Sequence, residues 1–441
     1  MASPARDHDV VLFGATGFVG RLTAGHLATH APSGVRVTLA GRSRHRLEQV
    51  RDGLGAVAAD WALLVADALD AAQMRRLAES ARVVATTVGP YVTYGHELVA
   101  ACAAAGTHYT DLTGEVLFVR QSIDDNHKPA QRTRARIVHG CGFEALPSDL
   151  GVWLTAHRAA SDDAGELTHA VLHVRAFSGG ISGGTIDTAR QQALTAAASP
   201  RARRILADPY ALSPARHEEP DAAPNGPWAR RPRRPAPRPS WLSRLDTYGR
   251  LNRLELAVRA LPIDRADASG VYSVPSLMAG FNTRIVRRSN ALTGWSYGRH
   301  LDYDEVLDTG SGARGVVLAG GVAIAQAMLD GGLRFGPTRA VLDRVLPVPG
   351  EGPSDQTMSA GHFAVEIEAD TTSGARYLTR IAAAYDPGYS GTAVMFGQSA
   401  LSLACDDLPD RAGVLTPATA FGSAILDRLR AHGFTVSCRR L

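Results

Sequence analysis

Asp9-Val10-Val11-Leu12-Phe13-Gly14-Ala15-Thr16-Gly17-Phe18-Val19-Gly20-Arg21 joins a short apolar run to three glycines spaced three apart. A helical pattern follows at once. Glycine serves any tight strand-to-helix turn, so the triplet takes its meaning from its setting. Further apolar runs lie at Val35–Ala40, Leu63–Ala66, Val83–Val88 and Ile137–Val138. Helical patterns over Phe18–Thr29, Arg44–Leu54, Ala71–Ser80, His96–Ala105 and Val116–Arg134 separate them. The alternation predicts an α/β fold: parallel strands joined by crossover helices in a doubly wound, Rossmann-like sheet over residues 1–150.

In that setting the glycines have distinct tasks. Gly14 permits the tight turn, Gly17 lets the backbone approach a pyrophosphate, and Gly20 brings the helix close to the sheet. Thr16, Phe18 and Val19 complete the turn, where the helix N-terminus offers N–H groups and a partial positive charge to an anion.

The end of the second strand selects the cofactor. A site for NAD places a carboxylate there to bind the ribose 2′-hydroxyl; here the chain reads Leu39-Ala40-Gly41-Arg42-Ser43-Arg44. A guanidinium and a hydroxyl at Arg42 and Ser43 suit a 2′-phosphate, so the expected cofactor is NADPH/NADP. Asp67, at the end of the third strand, either bonds the adenine amino group or caps the next helix. Thr87, Val88, Gly89 and Pro90 follow the fourth strand at the carboxyl edge of the sheet, where they would border the nicotinamide half.

Beyond residue 150 the pattern changes. Thr168–Phe177, His362–Ala369 and Tyr377–Tyr385 read as strands that pair with one another, giving a mixed α+β substrate domain over 151–398. Within it, a Pro/Arg-rich insertion at about 213–241 contains Pro227-Trp228-Ala229-Arg230-Arg231-Pro232-Arg233-Arg234 and reads as a mobile surface loop. Helical patterns return over 399–441, with Thr416-Pro417 as a helix start, and are expected to pack back on the first domain.

Composition narrows the class of protein. The chain has 441 residues, is 45 % hydrophobic and carries a net charge of +4, too diffuse for a nucleic-acid binder. Cys102, Cys141, Cys405 and Cys438 stand far apart, which fits reduced thiols in a cytoplasmic protein and no disulfide frame. No HExxH or Cys-x-x-Cys spacing appears, and no metal is expected. The uncharged run Val316–Leu329 would span roughly 21 Å as a helix, short of the roughly 30 Å of a bilayer core. It reads as a core helix, an acyl-pocket lining or a peripheral lipid contact.

A single lysine, Lys128, with Asp124 four residues before it, excludes the Tyr-x-x-x-Lys pair of short-chain dehydrogenases. It also leaves little room for Schiff-base chemistry. Gly180-Ile181-Ser182-Gly183-Gly184 matches a hydrolase elbow, yet it lies beyond the parallel-sheet half that such an elbow requires.

The segments GATGFVG, LAGR, VGPYVTYG, GTHYTDLTGE and GFEALPSDLG, in this order, resemble the saccharopine dehydrogenase-like oxidoreductases. EGPSDQTM, DPGYSGTAVM and LPDRAGVLTPA resemble most closely its actinobacterial trans-acting enoyl reductase branch. The resemblance spans nearly all of the chain except about 200–245. It implies an NADPH-binding Rossmann domain, a mixed substrate domain, and reduction of an enoyl double bond on a polyketide or lipid chain held by a synthase or acyl carrier protein. Where the family commonly has Asp-Ser, this chain has Glu144-Ala145.

Enoyl reduction needs a group that stabilises the enolate oxygen and delivers a proton. Tyr91 is the first candidate, beside the expected nicotinamide loop; Tyr94, His96, Tyr109 and Asp111 are the others, on loops after the fourth and fifth strands. Glu115 and Asp149 read as helix caps. Two alternatives stay open: imine reduction of the saccharopine type, with Arg175, Arg190 and Arg284 available to grip carboxylates, and a non-catalytic NADP-binding regulator. The oligomer is not specified by the sequence, and a dimer is plausible.

Overall fold

The computed structural model describes residues 6–178, 183–220, 263–265, 270–334 and 354–441. The Arg/Pro-rich stretch 227–239 and Ser182 of the Gly-x-Ser-x-Gly match lie outside them.

Strands β1 (His8–Phe13), β2 (Val37–Gly41), β3 (Ala62–Val65), β4 (Ala81–Thr86), β5 (His108–Asp111) and β6 (Arg136–Val138) form a parallel sheet in the order β6-β5-β4-β1-β2-β3. Val10, Val11, Leu12 and Phe13 are all buried because helices cover both faces, which is why β1 reads as a continuous apolar run. Ser43 and Asp70 cap the helices Arg44–Gly53 and Ala71–Ser80 by accepting N–H bonds from their first turns. The order reverses between β1 and β4, and the crevice at their carboxyl ends is the ligand position of a doubly wound sheet.

Sequence patterning missed β5 of this sheet. β5 is only four residues long and polar, His108-Tyr109-Thr110-Asp111, so Tyr109 and Asp111 sit within a strand rather than on a loop. The polar character reflects a buried hydrogen-bond network, described below, rather than exposure.

The second sheet is mixed. It holds β7 (Leu167–Ser178), β8 (Asp264–Arg265), β9 (Val271–Pro275), β10 (Asp302–Ser311), β11 (His362–Thr371) and β12 (Arg376–Ala383). β7 pairs parallel with β10 and antiparallel with β11, and the order is β12-β11-β7-β10-β9-β8. Helix Leu146–Ser161 links the two halves: Leu146, Leu150 and Val152 share one core with Val365, Ile367 and Ile381 of the mixed sheet. Gly151 permits this contact, since a Cβ there would lie 2.4 Å from Ile367 Cδ1.

The C-terminal segment does more than return as helices. Helix Ser390–Cys405 packs along helix Phe18–His30, so the division expected at residue 399 falls inside one continuous helix. β13 (Gly413–Leu415) then extends the parallel sheet beyond β6, and β14 (Thr435–Arg440) extends the mixed sheet beyond β12. These strands are three and six residues long and were hidden in the sequence beside stronger helical patterns.

The apolar run Val316–Leu329 lies within helix Gly312–Arg334, which over residues 316–326 is one-sided rather than core. Ala319 and Ala323 bury against Tyr272 and Val274, while Val317, Leu318 and Ile324 are exposed. Among the described residues, no helix is long and apolar enough to cross a membrane.

Candidate functional site

The glycine turn sits in the β1/β4 crevice. Gly14 adopts φ +89°, and a Cβ there would lie 2.6 Å from Thr87 Oγ1 and 2.8 Å from Val88 Cγ2. This is glycine's left-handed freedom used at a point of close approach. Thr87 Oγ1 donates to the Gly14 carbonyl at 3.1 Å, tying the loop after β4 to the turn. Gly20 lies against the same carbonyl: its added Cβ would come within 2.2 Å of Gly14 O. Gly17 is the exposed N-cap of helix Phe18–His30, and no side chain caps it, so the first-turn N–H groups of Phe18 and Val19 are open to an anion. Arg21 donates to the Thr16 carbonyl at 2.8 Å and holds the turn's outer wall.

Gly20→Ala should therefore displace the turn. Overpacking of this kind costs about 1–3 kcal/mol, so NADPH and NADH affinities should fall together by roughly 10–100-fold in a fluorescence titration. A loss confined to one cofactor would contradict the geometry.

Arg42 follows β2 at the same edge. It is exposed and has no hydrogen bond or ion pair among the described residues, whereas Arg44 is tied to Glu48 at 3.1 Å. Ser43 accepts from the Arg46 N–H as the cap of the next helix, which leaves its hydroxyl proton available to a phosphate oxygen. Asp67 is exposed and accepts the Leu69 N–H at 3.0 Å; the cap of the following helix is Asp70. A free guanidinium at the ribose position, a cradle with no room for Cβ atoms and an uncapped helix N-terminus together fit a 2′-phosphorylated dinucleotide.

The loop Thr87-Val88-Gly89-Pro90, whose Gly89–Pro90 peptide is cis, leads into the short helix Tyr91–Tyr94. Glu115 fixes that helix: Oε1 accepts the Tyr91 N–H at 2.8 Å and Oε2 accepts the Val92 N–H at 2.7 Å. Glu115 is thus a cap, but of a helix distant in sequence from its own. Glu115→Gln presents an amide to one of these donors and should lower unfolding free energy by about 1–3 kcal/mol in chemical denaturation. Unchanged stability would contradict the clamp. Asp149, also read as a cap, accepts the Ala418 N–H at 2.7 Å at the start of helix Pro417–Phe421.

The tyrosine proposed first as proton donor is committed to the fold. Tyr91 is buried, donates its hydroxyl to the Thr86 carbonyl at 3.1 Å and accepts the Leu112 N–H at the same distance. Burial pushes its phenol far up, with the charge of Asp111 adding to the shift. Tyr109 and Asp111 are likewise occupied. Asp111 Oδ2 accepts from Tyr109 at 3.0 Å and from His139 Nδ1 at 2.7 Å. Its Oδ1 accepts the Thr113 and Gly140 N–H groups. This carboxylate organises the loops after β5 and β6 and has no donor to offer a substrate. His96 packs edge-on against Phe118 at 5.1 Å, and burial lowers its pKa; Tyr94 is half-buried beside the same cluster.

One acidic group at this edge is uncommitted. Glu144 follows β6 in Gly142-Phe143-Glu144-Ala145, and its Oε2 is buried with no hydrogen-bond partner among the described residues. A Cβ on Gly142 would lie 2.2 Å from that oxygen, 2.7 Å from Leu112 and 2.9 Å from Thr392. Glu144 therefore sits where the loops after β5 and β6 meet the start of helix Ser390–Cys405. Leu112 is itself bonded to Tyr91 of the loop after β4. Burial raises the Glu144 carboxyl to about 7, with the Asp111 charge reinforcing it. The sequence drew attention to this position only as a departure from a family pattern.

The arginines offered for carboxylate recognition are engaged. Arg175 pairs with Asp308, with Glu366 at 3.0 Å and with Glu368 at 2.7 Å. Arg284 donates to the carbonyls of Asp208, Leu206 and Gly280.

A parallel sheet with a glycine turn in its β1/β4 crevice and an exposed arginine after β2, joined to a mixed sheet, defines an NADP-dependent oxidoreductase. The comparisons agree. Residues 10–139 match the saccharopine dehydrogenase NADP binding domain. A Mycobacterium tuberculosis protein named provisionally as a trans-acting enoyl reductase is 46 % identical over 448 residues, covering 100 % of both chains. The trans-acting enoyl reductase of Mycobacterium ulcerans is 44 % identical, again over 100 % of both. The chain belongs to the trans-acting enoyl reductase family. Its fold is that of a saccharopine dehydrogenase (L-Glu forming) from Saccharomyces cerevisiae: TM-score 0.50, 98 % of this chain and 100 % of that one, at 10 % identity.

Proposed function

We propose that this protein reduces the carbon–carbon double bond of an enoyl thioester whose acyl chain is carried by a separate synthase or acyl carrier protein. Full-length identity of 44–46 % to proteins named for that activity carries the reading. NADPH, when bound, supplies the hydride that adds at Cβ. Gly14, Gly17 and Gly20, with the N–H groups of Phe18 and Val19, hold the pyrophosphate, and Arg42 and Ser43 hold the 2′-phosphate. Thr87, Val88, Gly89 and Pro90 border the nicotinamide half, fixed from behind by Glu115.

Hydride addition at Cβ pushes the π electrons toward Cα and the thioester oxygen, so Cα must then receive a proton. Among the described residues at this edge, Glu144 is suited to give it: burial raises its carboxyl to about 7 and one oxygen is unspent. Glu144 replaces Tyr91 in this role because both hydrogen-bonding capacities of the tyrosine hydroxyl are used within the fold. The exposed Val317, Leu318 and Ile324 offer an apolar surface to the carrier-borne acyl chain or to a lipid layer. NADPH dependence and unpaired cysteines fit a cytoplasmic setting.

Purified protein should oxidise NADPH when given an enoyl thioester and yield the saturated acyl product by mass spectrometry. NADPH oxidation with an amine and a keto acid instead would replace this reading with imine reduction. The engagement of Arg175 and Arg284 speaks against that outcome. NADPH binding without turnover on either panel would leave a regulator.

A further inference from the structure

Three histidines meet far from the cofactor turn. His26 and His30 lie one turn apart on helix Phe18–His30, their rings stacked at 4.4 Å. His432 follows helix Ser423–Ala431 and meets both rings edge-on, at 5.3 and 4.8 Å. One ring nitrogen from each lies within 4.8 Å of the other two. We propose that His26, His30 and His432 form a binding site for a divalent transition-metal ion that favours imidazole, Zn²⁺ foremost.

The hydrogen bonds orient the ligands. His30 Nδ1 lies 3.0 Å from the His26 carbonyl, and His432 Nδ1 lies 2.7 Å from the Arg428 carbonyl. A carbonyl only accepts, so these Nδ1 atoms carry the proton and leave Nε2 as a lone pair, the arrangement that backbone carbonyls impose on metal-bound histidines. The Nε2 atoms of His26 and His432 converge on a single donor, the amide nitrogen of Gln398, at 2.8 and 3.1 Å. Gln398 cannot present its oxygen there, because Arg428 Nη1 donates to that oxygen at 3.1 Å. A cation between the rings accepts the same lone pairs that the amide hydrogens now occupy.

The surroundings tolerate that charge. Arg428, the cation nearest Gln398, is neutralised by two bonds to Asp406, at 2.7 and 2.6 Å. His26 is buried on the inner side of the cluster. Gly397 gives its ring room: a Cβ there would lie 2.7 Å from His26 Cδ2. Tetrahedral zinc with Zn–N bonds of about 2.0–2.1 Å separates ligand nitrogens by roughly 3.4 Å, so rotations that close roughly another ångström complete the set. His30 is exposed and leaves an entry path and a place for a water as fourth ligand. Metal here would join the turn before β14 to the helix whose opposite end is the Gly17–Gly20 cradle.

The test uses untagged, chelator-treated protein titrated with Zn²⁺ by calorimetry and with Co²⁺ by visible absorption. Saturable 1:1 binding, a melting temperature that rises with Zn²⁺ and a tetrahedral Co²⁺ spectrum are expected. His30→Ala and His432→Ala should each weaken binding by at least about tenfold while leaving NADPH affinity intact. Gln398→Ala removes the competing donor and should retain or tighten binding. Absence of saturable binding, or binding unchanged in both histidine variants, overturns the site.

Discussion

Arg42→Glu is expected to raise the Kd for NADPH by about 10²–10³, while NADH binding stays within about threefold. The wild-type guanidinium is exposed at the end of β2 and unpaired among the described residues, so none of their contacts has to be broken before it meets a phosphate. A charge-assisted hydrogen bond is worth about 1.5–3 kcal/mol, and glutamate adds repulsion between its carboxylate and the phosphate dianion. Together these reach the roughly 2.7–4 kcal/mol that such a change in affinity requires. The cofactor lacking the 2′-phosphate feels neither term, and a carboxylate there can accept from its ribose hydroxyl. Equal weakening of both cofactors would show that Arg42 supports the turn instead of reading the phosphate. Gly20→Ala is the control, because its effect is steric and cannot distinguish the two nucleotides.

The parallel sheet was legible because its central strands β1, β2 and β4 are largely buried and separated by helices, two of them capped by Ser43 and Asp70. Apolar runs such as Val10–Phe13 and caps such as Ser43 are local signals that survive without knowledge of the fold. β5 was not legible, since its side chains are polar for a non-local reason. Asp111 accepts from Tyr109, His139 and Gly140, and the last two are brought to it only by the sheet. β13 and β14 were lost for a related cause: each is an edge strand whose partner lies far away in sequence, β6 for one and β12 for the other.

The candidate site divides in the same way. The glycine turn and Arg42 are local features: the turn follows β1 and Arg42 follows β2, so each is readable from its neighbours in sequence. Proton-donor candidates depend on which side chains have bonds left over, and that is a property of packing. Tyr91 stands next to the right loop in sequence yet spends its hydroxyl on Thr86 and Leu112. The histidine cluster is the extreme case: the His26–His30 spacing is visible in the sequence, but His432 joins them only because the chain's end returns to its first helix.

Glu144→Gln is expected to slow single-turnover enoyl reduction by about 10²–10³ at neutral pH, within the 10²–10⁴ that a positioned proton donor contributes. The amide keeps the side chain's shape and loses only the transferable proton, so NADPH affinity should not change. The pH dependence carries the sign. Burial raises the carboxyl from its ordinary value to about 7, so the protonated, donating form prevails below that pH. Reduction should fall as pH rises through about 7 in the wild type, and that limb should vanish in Glu144→Gln. Glu144→Asp, with its carboxyl withdrawn by one methylene, should retain the limb and recover part of the rate. Stability gives an independent reading, because a carboxyl whose pKa is raised on folding stabilises the protein at acid pH and loses that contribution as pH rises through its folded value. The variant should therefore gain melting temperature relative to the wild type as pH rises from about 4.5 to about 7, and the gain should level off above that. An unaltered rate and pH profile in Glu144→Gln would remove Glu144 from the reaction, and NADPH consumption on an enoyl thioester would still stand as the activity.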